Sequence, residues 1–507
     1  MSGYRTRLQF CIAALITNTV SYSFPPNANH IFNSIHSSMR QWGSSLNHNG
    51  MSFFLATVPE GTQLYHGDWL SDPVQGPEWL AFEAEHALVF THPFPHNPPP
   101  GDGGSGGPEP GSPGPPPPLQ DQPQQVMGQP TQAEAEDGYL HTFVAARDLR
   151  LLYVDGMSAG KTANGTMDTQ DRILYQDKLK DGRDGMSNER QGAQLFCRMV
   201  KDKWNGRLDG LLRMEAGFEI ILCDFSNLEV QQVVRVRPSG GKPGSDIGMH
   251  AGRMWLPAVA SRYWNIGGER VTLNYDHFVT AFDYGLDLFA NGKNAHPRLE
   301  HLAVDELEPM QQDLDALIMN HEAGGPSANW QVVADMVVER YGARLRFLVS
   351  GQASTLQQLQ DEIEDIVTPF IDYDQRNTSI EVERCSKQFV RSSIPTTTTA
   401  ADAVLSVSRT VCGTLLEALS YTEYDSVVGH VQSLMNYLAW TTWKDCSGCG
   451  DHEICMIPMW PMGTVDDYNN PQCRDFSQPN GDGPRYWGPG RGPPPPRKAR
   501  PTHTLAL

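Results

Sequence analysis

The chain has 507 residues, a formal net charge of -20 and a sequence pI near 5.2. So acidic a chain gains little from releasing counterions on phosphates, which excludes nucleic acid as a general partner. Only 39% of residues are hydrophobic, but 38 prolines and 47 glycines gather in particular stretches and leave the remainder rich enough to build cores. The length fits two or three domains.

The N-terminus reads as a signal peptide over residues 1–23. Arg5 and Arg7 precede a short apolar run, Leu8 to Ile16, and small and polar residues follow to Ser23. That run is too short to span a bilayer, and no later stretch is long and apolar enough. The chain is therefore expected to be secreted, without a stable membrane anchor. Residues 24–50 form a lead segment to the first domain.

Residues 51–237 mix short strands with one clear helix, and they are interrupted. Residues 93–137 are almost wholly Pro, Gly, Ser, Gln and acid, a composition that cannot bury enough surface to offset its ordering entropy. They read as a disordered insert, after which strand sequence resumes at Gly138-Tyr139-Leu140-His141-Thr142-Phe143. Residues 238–300 form a connecting extension with a strand at Arg270 to Tyr275. In residues 301–445 apolar residues recur at spacings of three and four, over Trp330–Val338, Leu356–Val367 and Val404–Leu419, which predicts helices. A Cys-rich segment, 446–473, and a disordered Pro/Gly-rich tail, 474–507, complete the chain.

Cys11 lies in the signal peptide. The eight remaining cysteines are an even number, as disulfides in an exported chain require. Cys446, Cys449, Cys455 and Cys473 are expected to bridge among themselves, because local loops close at little entropic cost. Cys385 with Cys412 would then join two helices, and Cys197 with Cys223 would staple the first domain. The rival for the C-terminal four is a zinc site, but their spacing is not that of a regular knuckle and export favours disulfides. No metal is expected. Asn164-Gly165-Thr166 and Asn377-Thr378-Ser379 are glycosylation sequons that fit the same compartment. Gly156 to Thr162 imitates a phosphate loop, but three residues separate its glycines where four are required, and Asn164-Gly165 continues as a turn rather than a helix.

Three segments carry a candidate site. They are Gly61-Thr62-Gln63-Leu64-Tyr65-His66-Gly67, then Glu78-Trp79-Leu80-Ala81 running on to Phe90, and last Phe218-Glu219-Ile220-Ile221-Leu222-Cys223-Asp224. In this order they resemble the ADP-ribosyltransferase fold, in the His-Tyr-Glu branch to which poly(ADP-ribose) polymerases belong. The resemblance covers residues 51–237. It implies a split β-sheet for the first domain; with the helical periodicity and cysteines of the second half, the chain reads as α+β, ending in a mainly α-helical, disulfide-stapled domain. It also implies NAD as substrate, with transferase or NAD-glycohydrolase activity.

Breaking the ribose–nicotinamide bond builds positive charge on the sugar, which a poised carboxylate stabilises most in the transition state. On the resemblance Glu219 takes that role, with Glu215 as runner-up. His66 would make the ribose contact within a motif, continued by Gly67, that receives NAD, and Trp79 and Phe90 would make the ring contacts. Trp79 stands where the family has a tyrosine, so a hydroxyl is missing. The whole chain also resembles secreted proteins of filamentous fungi. A second function class is open as well: a non-catalytic secreted interaction protein on a degenerate scaffold, with an unknown protein target.

Overall fold

The run Ser52-Phe53-Phe54-Leu55-Ala56-Thr57-Val58 is apolar on both faces, the pattern of an interior strand, and it forms β1 (Ser52–Val58), buried throughout. The structure, a computed structural model, describes residues 24–47, 49–91, 138–162, 164–179, 186–236, 247–260, 269–290, 292, 296–476 and 484–487. The expected signal peptide and the 93–137 insert lie outside them.

Eight further strands join β1: β2 (Gln63–Asp68), β3 (Glu78–Ala81), β4 (Tyr139–Ala145), β5 (Leu149–Val154), β6 (Gly210–Glu215), β7 (Gly217–Leu222), β8 (Leu228–Arg235) and β9 (Thr272–Thr280). The protein is α+β, with a curled nine-stranded sheet in the order β8-β4-β2-β3-β7-β6-β5-β1-β9. All neighbours are antiparallel except β5 and β6. At one place the sheet is almost divided. β2 and β3 are paired only at Tyr65 and Ala81, whereas β2 pairs with β4 from Gln63 to Asp68.

Two short helices, α1 (Ala28–Ser37) and α2 (Gln41–Leu46), precede β1, and α3 (Ala84–Leu88) follows β3. The long α4 (Met186–Asp202) supplies the crossover that the parallel β5–β6 pair requires. After β8 come α5 (Ile247–Ala260), then β9 and the helical half: α6 (Val304–Asn320), α7 (Trp330–Leu348), α8 (Leu356–Val367), α9 (Thr378–Ser386), α10 (Thr399–Ala418) and α11 (Tyr424–Leu438). Four of these start where a short polar side chain accepts a backbone N–H of the first turn. Asn329 caps α7, Thr355 α8, Asn377 α9 and Thr398 α10. Helix α10 is apolar on most sides and lies at the centre, packed by α1, α9 and α11.

The lead segment and the connecting extension are not accessory. The side chains of Asn29 and Asn33 on α1 donate to Tyr437 O and Leu438 O at the end of α11, and Arg40 forms a bidentate pair with Asp335 of α7 at 2.7 Å. The extension supplies β9, which pairs with β1 and forms one edge of the sheet. One hydrophobic core runs from Ile31 through the sheet to Trp440. The tail differs from expectation as well. Tyr486 bonds His296 at 2.9 Å and stacks on Tyr468, while Trp487 donates to Met462 O at 2.9 Å. Two aromatic rings have apolar area enough to dock a segment whose Pro and Gly neighbours do not.

The disulfides are Cys197–Cys223, Cys385–Cys412, Cys446–Cys455 and Cys449–Cys473, the expected partition. Cys446, Cys449 and Cys473 also lie close enough together to suggest a metal site. Their sulfurs are committed to two bridges, so no thiolate remains to ligate. Cys385–Cys412 ties α9 to α10 across 27 residues of sequence, and both cysteines are buried. Replacing both by alanine is expected to cost about 3 kcal/mol through the freed loop of the unfolded chain. Chemical unfolding of the double variant checks this, read on the helical half.

Of the two sequons, Asn377 is exposed, whereas the Asn164 side chain donates to Tyr486 O at 3.3 Å and Thr166 is buried. Among the described residues, no helix is long and apolar enough to cross a membrane.

Candidate functional site

Cross-strand partners share a sheet face, so register decides which expected site residues meet. Arg213 opposes Glu219, Glu215 opposes Gly217, Glu219 opposes Ala81, and Ala81 opposes Tyr65. Arg213, Glu215, Glu219 and Tyr65 therefore share one face, with Trp79, which opposes Ile221. His66 follows Tyr65 and falls on the other face. There its Nδ1 is 2.7 Å from Trp79 O, and its ring meets those of His141 and Phe225. Burial draws its pKa down. His66 thus does not converge with Glu219.

The face that carries Glu219 is covered. Helix α3 crosses β2 so closely that a Cβ on Gly67 would lie 2.0 Å from Ala87 O. Gly217 has φ 105°, and a Cβ there would meet His86 Nδ1 at 2.9 Å and Val259 of α5 at 3.0 Å. His86 stacks on Trp255 of α5, with centroids 5.1 Å apart, and Phe90 tilts against the same imidazole at 5.9 Å. Trp79 is half-buried against the main core. So α3 and α5 together roof the end of the β6–β7 hairpin.

Under that roof lies an ionic ladder. Arg213 is 2% exposed as a side chain, and its Nε donates to Glu219 Oε1 at 2.7 Å. Its other nitrogens reach Gln170 Oε1 at 3.2 Å and a carboxylate oxygen of Glu189 on α4. Lys161, over the Trp460 ring, stands 3.5 Å from the second oxygen of Glu189. Burial alone would pull Arg213 down, but Glu189 and Glu219 outweigh it and hold its pKa above the ordinary value. Burial would raise Glu189, and Arg213 with Lys161 reverse the sign. Among the described residues, Glu215 has no lysine or arginine so close. Burial and the neighbouring Glu219 push it up to about 8. His86 Nε2 lies 4.0 Å from Glu215 Oε1, and burial draws His86 down to about 4.

The strand bearing Glu219 is legible from sequence, with Glu215 as runner-up ahead of it on what proves to be the neighbouring strand β6, whereas Glu189, Lys161 and His86 carry no local signal that places them at the site. Arg213 sat unremarked inside Leu211-Leu212-Arg213-Met214-Glu215. A single arginine in an apolar strand, two residues from a glutamate on the same face, is the signal that marks such a ladder.

Residues 24–240 match the family model described as YPL277C N-terminal domain. Two proteins of Saccharomyces cerevisiae (strain ATCC 204508 / S288c) are similar to this region. "Uncharacterized protein YPL277C" is 37% identical over 220 residues, covering 41% of this chain and 42% of its own length. "Uncharacterized protein YOR389W" is 37% identical over 214 residues, covering 41% of this chain and 33% of its own. The chain thus spans less than half the length of these curated relatives. No solved structure matches. The matched region holds α1 to α4, β1 to β8 and the whole ladder with His86. It ends before α5, so the roof helix and the helical half lie beyond it.

Proposed function

We propose that the protein is secreted and cleaves NAD, or transfers its ADP-ribosyl group, at Glu219. One observation carries this reading: a buried carboxylate is ion-paired to Arg213 on a strand beside the near-division of the sheet between β2 and β3. Buried ion pairs cost desolvation and are seldom the most stable solution, so a ladder of this kind calls for a role beyond holding the fold. The ADP-ribosyltransferase-like order of the three segments supplies the chemistry. The bond from ribose C1′ to the nicotinamide nitrogen breaks, and its electron pair leaves with nicotinamide. The ribosyl cation is stabilised by the Glu219 carboxylate and captured by water or by a nucleophile on a target protein, which releases a proton. NAD reaches Glu219 only with α5 displaced, because Val259 and Trp255 stand over the hairpin. Incubation of the secreted protein with NAD tests the reading. Nicotinamide and ADP-ribose should appear, and their absence over long incubation overturns it.

A second reading has its own support. His66 lies on the opposite face from Glu219, and the Gly67 backbone is roofed by Ala87. Such an arrangement suits a non-catalytic interaction protein that keeps the scaffold and has filled the site. It predicts that the protein neither binds nor cleaves NAD.

A further inference from the structure

A buried imidazole without a hydrogen bond is uncommon, because each unsatisfied nitrogen forfeits the water it left behind. His86 is 1% exposed, and among the described residues neither Nδ1 nor Nε2 has a hydrogen-bond partner. Its ring stacks on Trp255, Nδ1 lies beside the Gly217 backbone, and Nε2 is 4.0 Å from Glu215 Oε1. A donor atom from each of His86, Glu215 and Glu219 lies within 4.8 Å of the other two, and all three residues are buried.

We infer that His86, Glu215 and Glu219 bind a divalent transition-metal cation of the zinc or manganese class.

Three features favour a cation over an apolar pocket that merely traps a histidine. The first is geometry. A tetrahedral cation with bonds of about 2.0–2.2 Å sets its donors roughly 3.4 Å apart, so the observed spread closes with small side-chain rotations. The second is ligand chemistry. One neutral imidazole with two carboxylates suits zinc, manganese or ferrous iron, and leaves an open position for water. It suits magnesium and calcium less well, because they take oxygen almost exclusively. The third is charge. Carboxylate oxygens of Glu215 and Glu219 lie within 4.8 Å of one another, while Arg213 is ion-paired to Glu219 and Glu189. A cation held between the two glutamates offsets their mutual repulsion. Arg213 keeps one oxygen of Glu219 at 2.7 Å and thereby orients the carboxylate, as supporting partners of metal ligands do. The inference does not depend on NAD cleavage. The two proposals share Glu219, so a bound cation and an NAD ribose compete for it.

The test uses the full secreted chain, stripped with a chelator and titrated with zinc or manganese chloride in the absence of NAD. Calorimetry should show saturable binding of one cation per chain, and the cation should raise the melting temperature. His86→Leu removes a ligand whose nitrogens are unpartnered, so the metal-free variant should fold at least as stably as the parent. Its affinity should fall by at least about 10–100-fold, with the thermal shift lost. Glu215→Gln should behave alike. The stacked pair His277 and His321, with ring centroids 3.7 Å apart, is the competing surface site. His277→Ala should leave the affinity unchanged. Absence of saturable binding by the parent overturns the inference. So does binding that survives His86→Leu or disappears with His277→Ala.

Discussion

Replacing Glu219 by glutamine is expected to lower nicotinamide release by about 10²–10³-fold, the usual loss when one preorganised electrostatic contact to a transition state is removed. Glutamine keeps the shape and an oxygen within reach of Arg213 Nε, so the hairpin and the roof should stay in place. What disappears is the charge that opposes the ribosyl cation. NAD affinity should change far less than the rate, because the cation exists only in the transition state. Glu215→Gln should be nearly silent in this assay. If the two phenotypes are exchanged, the catalytic role belongs to Glu215. If parent and variants alike neither bind nor cleave NAD, the interaction-protein reading replaces the enzyme. Circular dichroism of each variant separates lost chemistry from lost fold.

Replacing Arg213 by methionine is expected to destabilise the sheet domain by about 3–5 kcal/mol, the cost of leaving buried charges without their partner. Three contacts go at once: Glu219 on β7, Glu189 on α4 and Gln170. Lysine should not rescue. Its point charge cannot meet three acceptors that a planar guanidinium reaches from one plane. The pairing of Arg213→Met with Glu219→Gln gives the sharper measurement. In the double variant one orphaned carboxylate is gone, so its loss should be smaller than the sum of the two single losses. Strict additivity in calorimetric melting would show that the 2.7 Å contact carries no coupling.

What sequence could reveal follows the range of each interaction. Helices α7, α8 and α10 are legible from the three-and-four apolar spacing within each, although α10 begins at Thr399, ahead of the expected Val404, where Thr398 caps it. The cysteine partition was legible for a related reason, since short loops close first. Long-range matters were hidden. Nothing local in Thr272–Thr280 says that it pairs with β1, more than two hundred residues earlier, and nothing in Asn29 or Asn33 announces the end of α11. His66 shows the limit best. Its place in a strand was plain, but the face it takes depends on the Tyr65–Ala81 register, and a shift of one residue reverses every side chain. The ladder was hidden for the same reason, because Glu189, Lys161 and His86 reach Arg213 and Glu215 from three separate segments.

The single residue pair between β2 and β3 sets a boundary for local opening. On one side β8, β4 and β2 are held to each other along most of their length. On the other lie β3, β7, β6, β5, β1 and β9, and Leu64, Phe143, Ala145 and Leu228 of the outer three strands reach into the same main core. A junction of one pair, reinforced by the His66–Trp79 contact, is the cheapest seam at which the sheet can part. Parting there uncovers the backbone of the outer three strands and withdraws only their few core side chains, leaving the other six strands paired. Amide deuteration should therefore reach β2 and β4 together, as one cooperative unit, well before it reaches β6 and β7. The outer strands would exchange on a clock of their own.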